Sequence, residues 1–191
     1  MNFFEFLRKY GAKTVEQEVS RGNVGIHGEV TLNHFRKGKL IGKETSSNLI
    51  VDAGLNHFLN VVMGADAKIT TWYVGIFKNN VTPAAADAPA AVLGAAGTYG
   101  EGQDADYDLP LTNKPEYIDA PATAKVMSNS GTPASFTIAA SITLYGAFIS
   151  SVAAKTGTTG TLLAAKKFDA SRAVIDNDII TVQYDITAAS V

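Results

Sequence analysis

The sequence predicts a mainly β protein with one or two short helices, built as an antiparallel β-sandwich or a jelly-roll-like barrel. Three observations predict it. The stretch Ser135–Thr187 breaks into short runs rich in Ile, Val, Thr, Phe and Tyr, punctuated by Gly, Asn and Asp turns. Such runs fit a pleated, half-buried surface. Val24–Leu32 alternates: Val24, Ile26, Val30 and Leu32 share a face with Gly28, while His27, Glu29 and Thr31 take the other, as a half-buried strand requires. Only two segments, near the N-terminus and after Asp52, carry helical spacing.

Taken in order, the chain divides into an N-terminal amphipathic arm, 1–22, and a β-rich domain, 23–191. In the arm, Phe3, Phe6, Leu7 and Tyr10 fall at i, i+3, i+4 and i+7, which sets four apolar groups on one helical face. A helix of about two turns is marginal alone, so this face calls for a surface to pack on, either its own body or a neighbouring molecule. After the Val24 strand, Phe35, Leu40 and Ile41 continue the apolar signal around Lys37-Gly38-Lys39, which reads as a β-hairpin with a basic tip. From Asp52 to Met63, Leu55, Phe58, Leu59 and Val62 again take helical spacing. Asp52 suits an N-cap and Gly64 a left-handed C-terminal residue. Thr70–Phe77 (TTWYVGIF) then reads as a buried strand. Residues 79–122 lack periodicity and hold five of the six prolines. A stretch of that length reads as an ordered excursion over the protein's own surface or a neighbour's, with Tyr99, Tyr107 and Tyr117 as its anchors. Strands resume near Ala124.

Composition narrows function. With 191 residues, 46% hydrophobic and 18% charged, the chain is long enough to bury a core. A net charge of −2 gives no steer towards nucleic acid or membrane, but its distribution is uneven. Residues 1–43 carry 8 Lys/Arg against 4 Asp/Glu, and residues 44–191 carry 8 against 14. A basic front on an acidic body favours protein contacts. The absence of cysteine removes disulfides and thiolate metal sites. The opening MNFFEFLRKYG has an acid at Glu5 and too short an apolar run for a secretory signal, and no segment reaches the ~20 apolar residues of a membrane span. The expectation is a soluble product of the cytoplasm.

Candidate chemistry is sparse. Asp104, Asp106 and Asp108 open like a calcium loop, but the position needing Gly is Leu109 and the position needing Glu is Pro115. Gly157-Thr158-Thr159-Gly160 lacks the Gly-Lys-Ser/Thr ending of a phosphate loop and reads as a hairpin connection. His27, His34 and His57 show no metal-ligand spacing, and no nucleophile elbow or carboxylate pair stands out. Arg36, Lys37, Lys39 and Lys43 form the basic cluster, suited to phosphates or to an acidic protein patch. The expectation is a protein that is not an enzyme and carries no cofactor or metal.

Three passages together, Asn48–Met63 (NLIVDAGLNHFLNVVM), Thr71–Phe77 (TWYVGIF) and the run from Tyr145-Gly146-Ala147-Phe148 to Asp176–Thr187 (DNDIITVQYDIT), resemble small virion proteins of tailed bacteriophages, in particular capsid decoration (cement) proteins. The resemblance implies a virion protein on the outer surface of the head, stabilising contacts between major capsid protein subunits as a homo-oligomer, a dimer or trimer, with no membrane and no direct nucleic-acid contact. The expected contact residues are Phe3, Phe4, Phe6, Leu7, Arg36, Lys37, Lys39, Tyr99, Tyr107 and Tyr117. Similar β-rich modules occur in phage tail and fibre-attachment proteins, which is the alternative role. A carbohydrate-binding β-sandwich, with Trp72 or Tyr73 as the sugar platform, is a second alternative.

Overall fold

The structure is a computed structural model and describes residues 24–190. The N-terminal arm therefore lies outside the described residues. In chain order the elements are β1 (Val24–Arg36), β2 (Lys39–Ile50), α1 (Asp52–Met63), β3 (Tyr73–Phe77), the single-turn α2 (Pro89–Val92), β4 (Tyr107–Leu109), β5 (Val126–Ser128), β6 (Ala134–Ile138), β7 (Ile142–Ser150), β8 (Leu162–Val174) and β9 (Ile179–Ser190). The strands pair antiparallel in the order β3-β7-β8-β2-β1-β9-β6-β4, with β5 also on β9. This sheet curls into a half-barrel, so the predicted mainly β class is the class observed.

The alternation in β1 sets the inner face. Gly28, Val30, Leu32 and His34 are buried, and His27 and Glu29 are exposed, but Val24 and Ile26, expected on the inner face, are exposed and half-buried at the strand's open start. The turn into β2 has positive φ at both Lys37 (51°) and Gly38 (73°), the conformation whose twist matches a hairpin's flanking strands. β2 stays on β1 for most of its length and meets β8 only at Leu49 and Ile50. Where β2 and β8 part, the Glu44 carboxylate takes over. It accepts from the Asp169 N–H at 2.5 Å, the Ala170 N–H at 3.3 Å and Arg172 Nη2 at 2.8 Å, joining the two strands through a side chain.

Two glycines let β3 and β7 pack closely. Gly75 pairs with Phe148, and Gly146 pairs with Phe77. In each pair the phenyl ring lies over the glycine, in space a Cβ would occupy. Both rings are fully buried with Tyr99, whose ring stacks on Phe77 at 4.8 Å between centroids.

The 79–122 excursion crosses the protein's own surface and joins the two rims of the curled sheet. At one rim it supplies the hydrogen bonds β3 lacks on its open side: Lys78 N–H to Gly100 O, Gly102 N–H to Ile76 O, Val74 N–H to Pro115 O and Tyr117 N–H to Trp72 O, all 2.8–3.0 Å. At the other rim β4 pairs with β6. β3 and β6 are thereby covered on their outer sides, and the edge left at the second rim, β4, is only three residues long, which limits edge-to-edge association. Irregular backbone so placed needs polar partners, and two buried lysines provide them. Lys114 Nζ donates to Glu101 Oε1 and to Ala154 O, both at 2.7 Å, while Glu101 Oε2 accepts from the Gly94 N–H at 2.7 Å. Lys155 Nζ donates to Tyr107 O at 3.1 Å and Leu111 O at 3.3 Å, and it sits 3.9 Å from the Tyr107 ring centroid. Burial pushes the Glu101 carboxyl up and the Lys114 ammonium down, and their mutual attraction opposes both shifts.

α1 is a helix over Asp52–Met63, as the spacing predicts, but its caps and its packing differ. Val51 is the N-cap and no side chain caps it. Gly64 is extended (φ −106°, ψ −152°) rather than left-handed, with its N–H bonded to Asn60 O. The closest approach of the helix to the body is at Gly54, whose missing side chain admits the Leu163 backbone of β8, with Ala53 packed on the core beside it. With contact at that point Leu55 is half-buried, while Phe58, Leu59 and Val62 of the same stripe face outward.

Replacing Lys114 with Met leaves Glu101 buried and unpaired, which costs about 3–5 kcal/mol; urea denaturation should show it, with part of the loss recovered in Glu101→Gln/Lys114→Met. Gly75→Ala forces a methyl into the Phe148 ring and should destabilise by about 1–3 kcal/mol, whereas Gly131→Ala, where a Cβ meets open space, should stay within about 0.5 kcal/mol.

Candidate functional site

The end of the β1–β2 hairpin is the candidate site. Its shape starts with a bulge. His34 faces Gly42 and Phe35 faces Leu40, so Ile41 has no opposite residue in β1. A bulge turns side chains out of the normal alternation. Leu40 and Ile41 are both 53% exposed. Phe35 is half-buried and stands between Leu40 of β2 and Ile179 of β9, its register partners. Leu40, Phe35 and Ile179 thus form an apolar row across the outer face. Lys37, Lys39 and Lys43 are exposed around it. The patch is basic and apolar together, a composition that suits an acidic protein surface.

A buried carboxylate fixes this end. Asp178, in the β8–β9 turn, accepts from Arg36 Nε at 2.9 Å and Nη2 at 2.7 Å, and from the Ile175 N–H at 2.9 Å. His34 Nε2 lies 2.8 Å from Asp178 Oδ2. The Arg36 guanidinium, followed by the turn N–H and His34, holds the Asp178 carboxyl well below the usual carboxylate range. Asn177 beside it adopts φ 65°, a conformation asparagine tolerates. The hairpin end is therefore clamped to the β8–β9 turn.

The predicted contact residues separate into three groups. Phe3, Phe4, Phe6 and Leu7 lie outside the described residues. Lys37 and Lys39 are exposed at the patch, but the half-buried Arg36 is bound to Asp178 and holds the hairpin end to the β8–β9 turn. Tyr99, Tyr107 and Tyr117 are buried, which corrects their assignment to a contact surface. They do anchor the excursion: Tyr99 Oη donates to Asp87 at 2.7 Å, the Tyr107 ring meets Phe136 edge-on at 5.1 Å, and Tyr117 Oη donates to Met127 O and Tyr184 O at 3.2 Å. Burial raises all three phenols above their ordinary range. In an excursion of mostly small and polar residues these rings are the largest groups available to the core, and a ring that anchors the chain in the core is not free to face a partner.

Asp104 pairs with Lys155 at 2.9 Å and Asp106 with Lys78 at 2.6 Å. Among the described residues no three His, Asp or Glu side chains converge as metal ligands. Gly157–Gly160 lies in the β7–β8 connection, as expected. Trp72 packs against the core, with its ring edge-on to His57 at 5.8 Å. A cleft of ≈ 420 Å³ opens on the outer face between His27, Glu29, Ser47, Val126, Asp185 and Thr187. There Asp185 already accepts from Ser128 Oγ and from Gln183 Nε2. Among the described residues no helix is long and apolar enough to cross a membrane.

The exposed Leu40 and Ile41 had a sequence signal. Two adjacent large apolar residues in a strand cannot both face inward, so one had to be a bulge or a surface residue.

No protein-family model matches the chain, and no curated protein matches its sequence.

Asp178→Asn tests the clamp. A carboxyl depressed in the folded state adds stability above its unfolded pKa of about 3.9, and that stability is lost as pH falls towards the folded value. The variant should therefore melt below the parent protein at pH 7, and the gap should narrow progressively below about pH 4. Calorimetric melting temperatures from pH 7 to pH 2 measure it, and a gap independent of pH contradicts the ionic clamp.

Proposed function

We propose that this chain is a capsid decoration protein of a tailed bacteriophage, which seats its hairpin end on the outer surface of the head and bridges major capsid protein subunits. The observation that carries the reading is the clamped hairpin end: an apolar row of Leu40, Phe35 and Ile179, ringed by Lys37, Lys39 and Lys43, held by Arg36 and His34 on Asp178. A cement protein needs such a contact surface already in place. A hairpin backbone held before docking loses less conformational freedom on binding. A protein shell with an acidic outer face offers the complementary charge, and complementary charge raises the association rate. A β3 rim covered by the excursion and a β4 edge of only three residues leave copies little to add to one another by strand pairing, which suits a protein made in many copies beside a repetitive shell. The resemblance of Asn48–Met63, Thr71–Phe77 and Asp176–Thr187 to decoration proteins supports the same reading. Stable attachment asks for more than about 1,000 Å² of total buried surface, so the patch would act within an oligomer that touches more than one subunit.

The test is direct. Purified protein is added to expanded heads lacking it, and both binding and the melting temperature of the shells are recorded. The reading expects saturable binding and a higher shell melting temperature. Lys37→Glu/Lys39→Glu should weaken binding at least tenfold at low ionic strength, with the difference shrinking as salt screens the charges. Binding to tails instead of heads would move the protein to the tail reading. Heads that neither bind it nor gain stability would end the proposal.

A further inference from the structure

The outer face of α1 is apolar and open. Phe58 is 44% exposed, Leu59 54%, Val62 59% and Met63 81%. These residues lie three, four and five positions apart, so they form one patch over the last two turns of the helix. This is a separate surface from the hairpin patch, which lies on the bulged end of the sheet.

We propose that residues 3–10 of the same chain cover this face, apolar stripe against apolar stripe. Three observations point to this occupant. The first is complementarity of pattern: Phe3, Phe6, Leu7 and Tyr10 form a stripe about two turns long, the length of the open stripe on α1, and a segment that short holds a helical form only against a surface. The second is where the chain enters the described fold. Gly28 of β1 pairs with Asn48 of β2. Val24 lies four residues before Gly28, and Asp52 lies four residues after Asn48. Val24, the first described residue, thus lies at the end of the sheet from which α1 departs. The third is reach. Residues 11–23 span up to about 45 Å when extended, and α1 is about 18 Å long. The connection is long enough with slack.

Seating the segment there would withdraw four large apolar side chains of α1 from water and give the short stripe its surface in one contact. The inference is independent of the capsid reading and concerns the free protein.

The absence of cysteine makes a clean test available. Phe6→Cys and Val62→Cys are introduced together into the full chain, with Phe6→Cys/Lys37→Cys as the control at the far end of β1. After mild oxidation of dilute protein, non-reducing gels and mass spectrometry should show an intrachain disulfide in most molecules of the first pair and in few of the second. Interchain disulfides in the first pair would assign the face to a second copy and overturn the proposal. Equal yields in the two pairs, or no disulfide in either, would also overturn it. A second measurement uses no cysteine: removing residues 1–12 should speed amide hydrogen exchange in α1 at least tenfold and leave β1 and β9 unchanged. Unaltered α1 exchange would refute the contact.

Discussion

The ion pair between Glu101 and Lys114 lies where water cannot reach it, and the course of residues 79–122 turns on it. Without that excursion the curled sheet would present β3 on one rim and β6 on the other, each with a row of unpaired backbone groups. The excursion covers both, yet it has almost no ladder of its own. Its backbone needs fixed partners, and Glu101, Lys114 and Lys155 supply them at its middle, at its return and from the β7–β8 connection. A buried pair of this kind adds little stability beyond a well-packed apolar substitute. Its value is directional: charge-assisted hydrogen bonds leave one route for the chain, where apolar contact alone would accept several.

The same logic operates at the hairpin end on a smaller scale. Asp178 satisfies its own turn through Ile175 and holds Arg36 and His34 from β1. The β8–β9 turn and the β1–β2 hairpin are far apart in sequence, and this carboxylate makes them one rigid corner. Lys37, Lys39, Leu40 and Ile41 stand on the backbone next to that corner, with their side chains exposed. Glu44 acts likewise where β2 leaves β8. In all three places a carboxylate stands where regular pairing stops.

α1 illustrates how one residue decides an orientation. Its stripe of Leu55, Phe58, Leu59 and Val62 is periodic enough to identify the helix, and periodicity ordinarily marks the buried face. Gly54 changes the outcome, because the closest approach to β8 is made by backbone at the first turn. The helix is then placed by its glycine, and Phe58, Leu59 and Val62 of its apolar stripe are left for another contact.

Much of the fold was legible in the sequence because it is written in local patterns. Alternation in Val24–Leu32 identified β1 and, from Gly28 to Leu32, its inner face, Lys37-Gly38-Lys39 identified the hairpin tip, and the spacing after Asp52 identified α1. The lack of periodicity in 79–122 marked an excursion, and Tyr99, Tyr107 and Tyr117 as its anchors. The sequence alone thus determined the class, the first hairpin, the helix and the place of the irregular segment, since each depends on neighbours a few residues apart. Only the tertiary structure decided that those tyrosines are buried, that Arg36 serves Asp178 across 142 positions of sequence, that Phe58, Leu59 and Val62 of the α1 stripe face outward, and that Leu40 and Ile41 share the surface. Those outcomes depend on which distant groups meet when the sheet curls, and a pattern of local periodicities does not specify which distant groups meet.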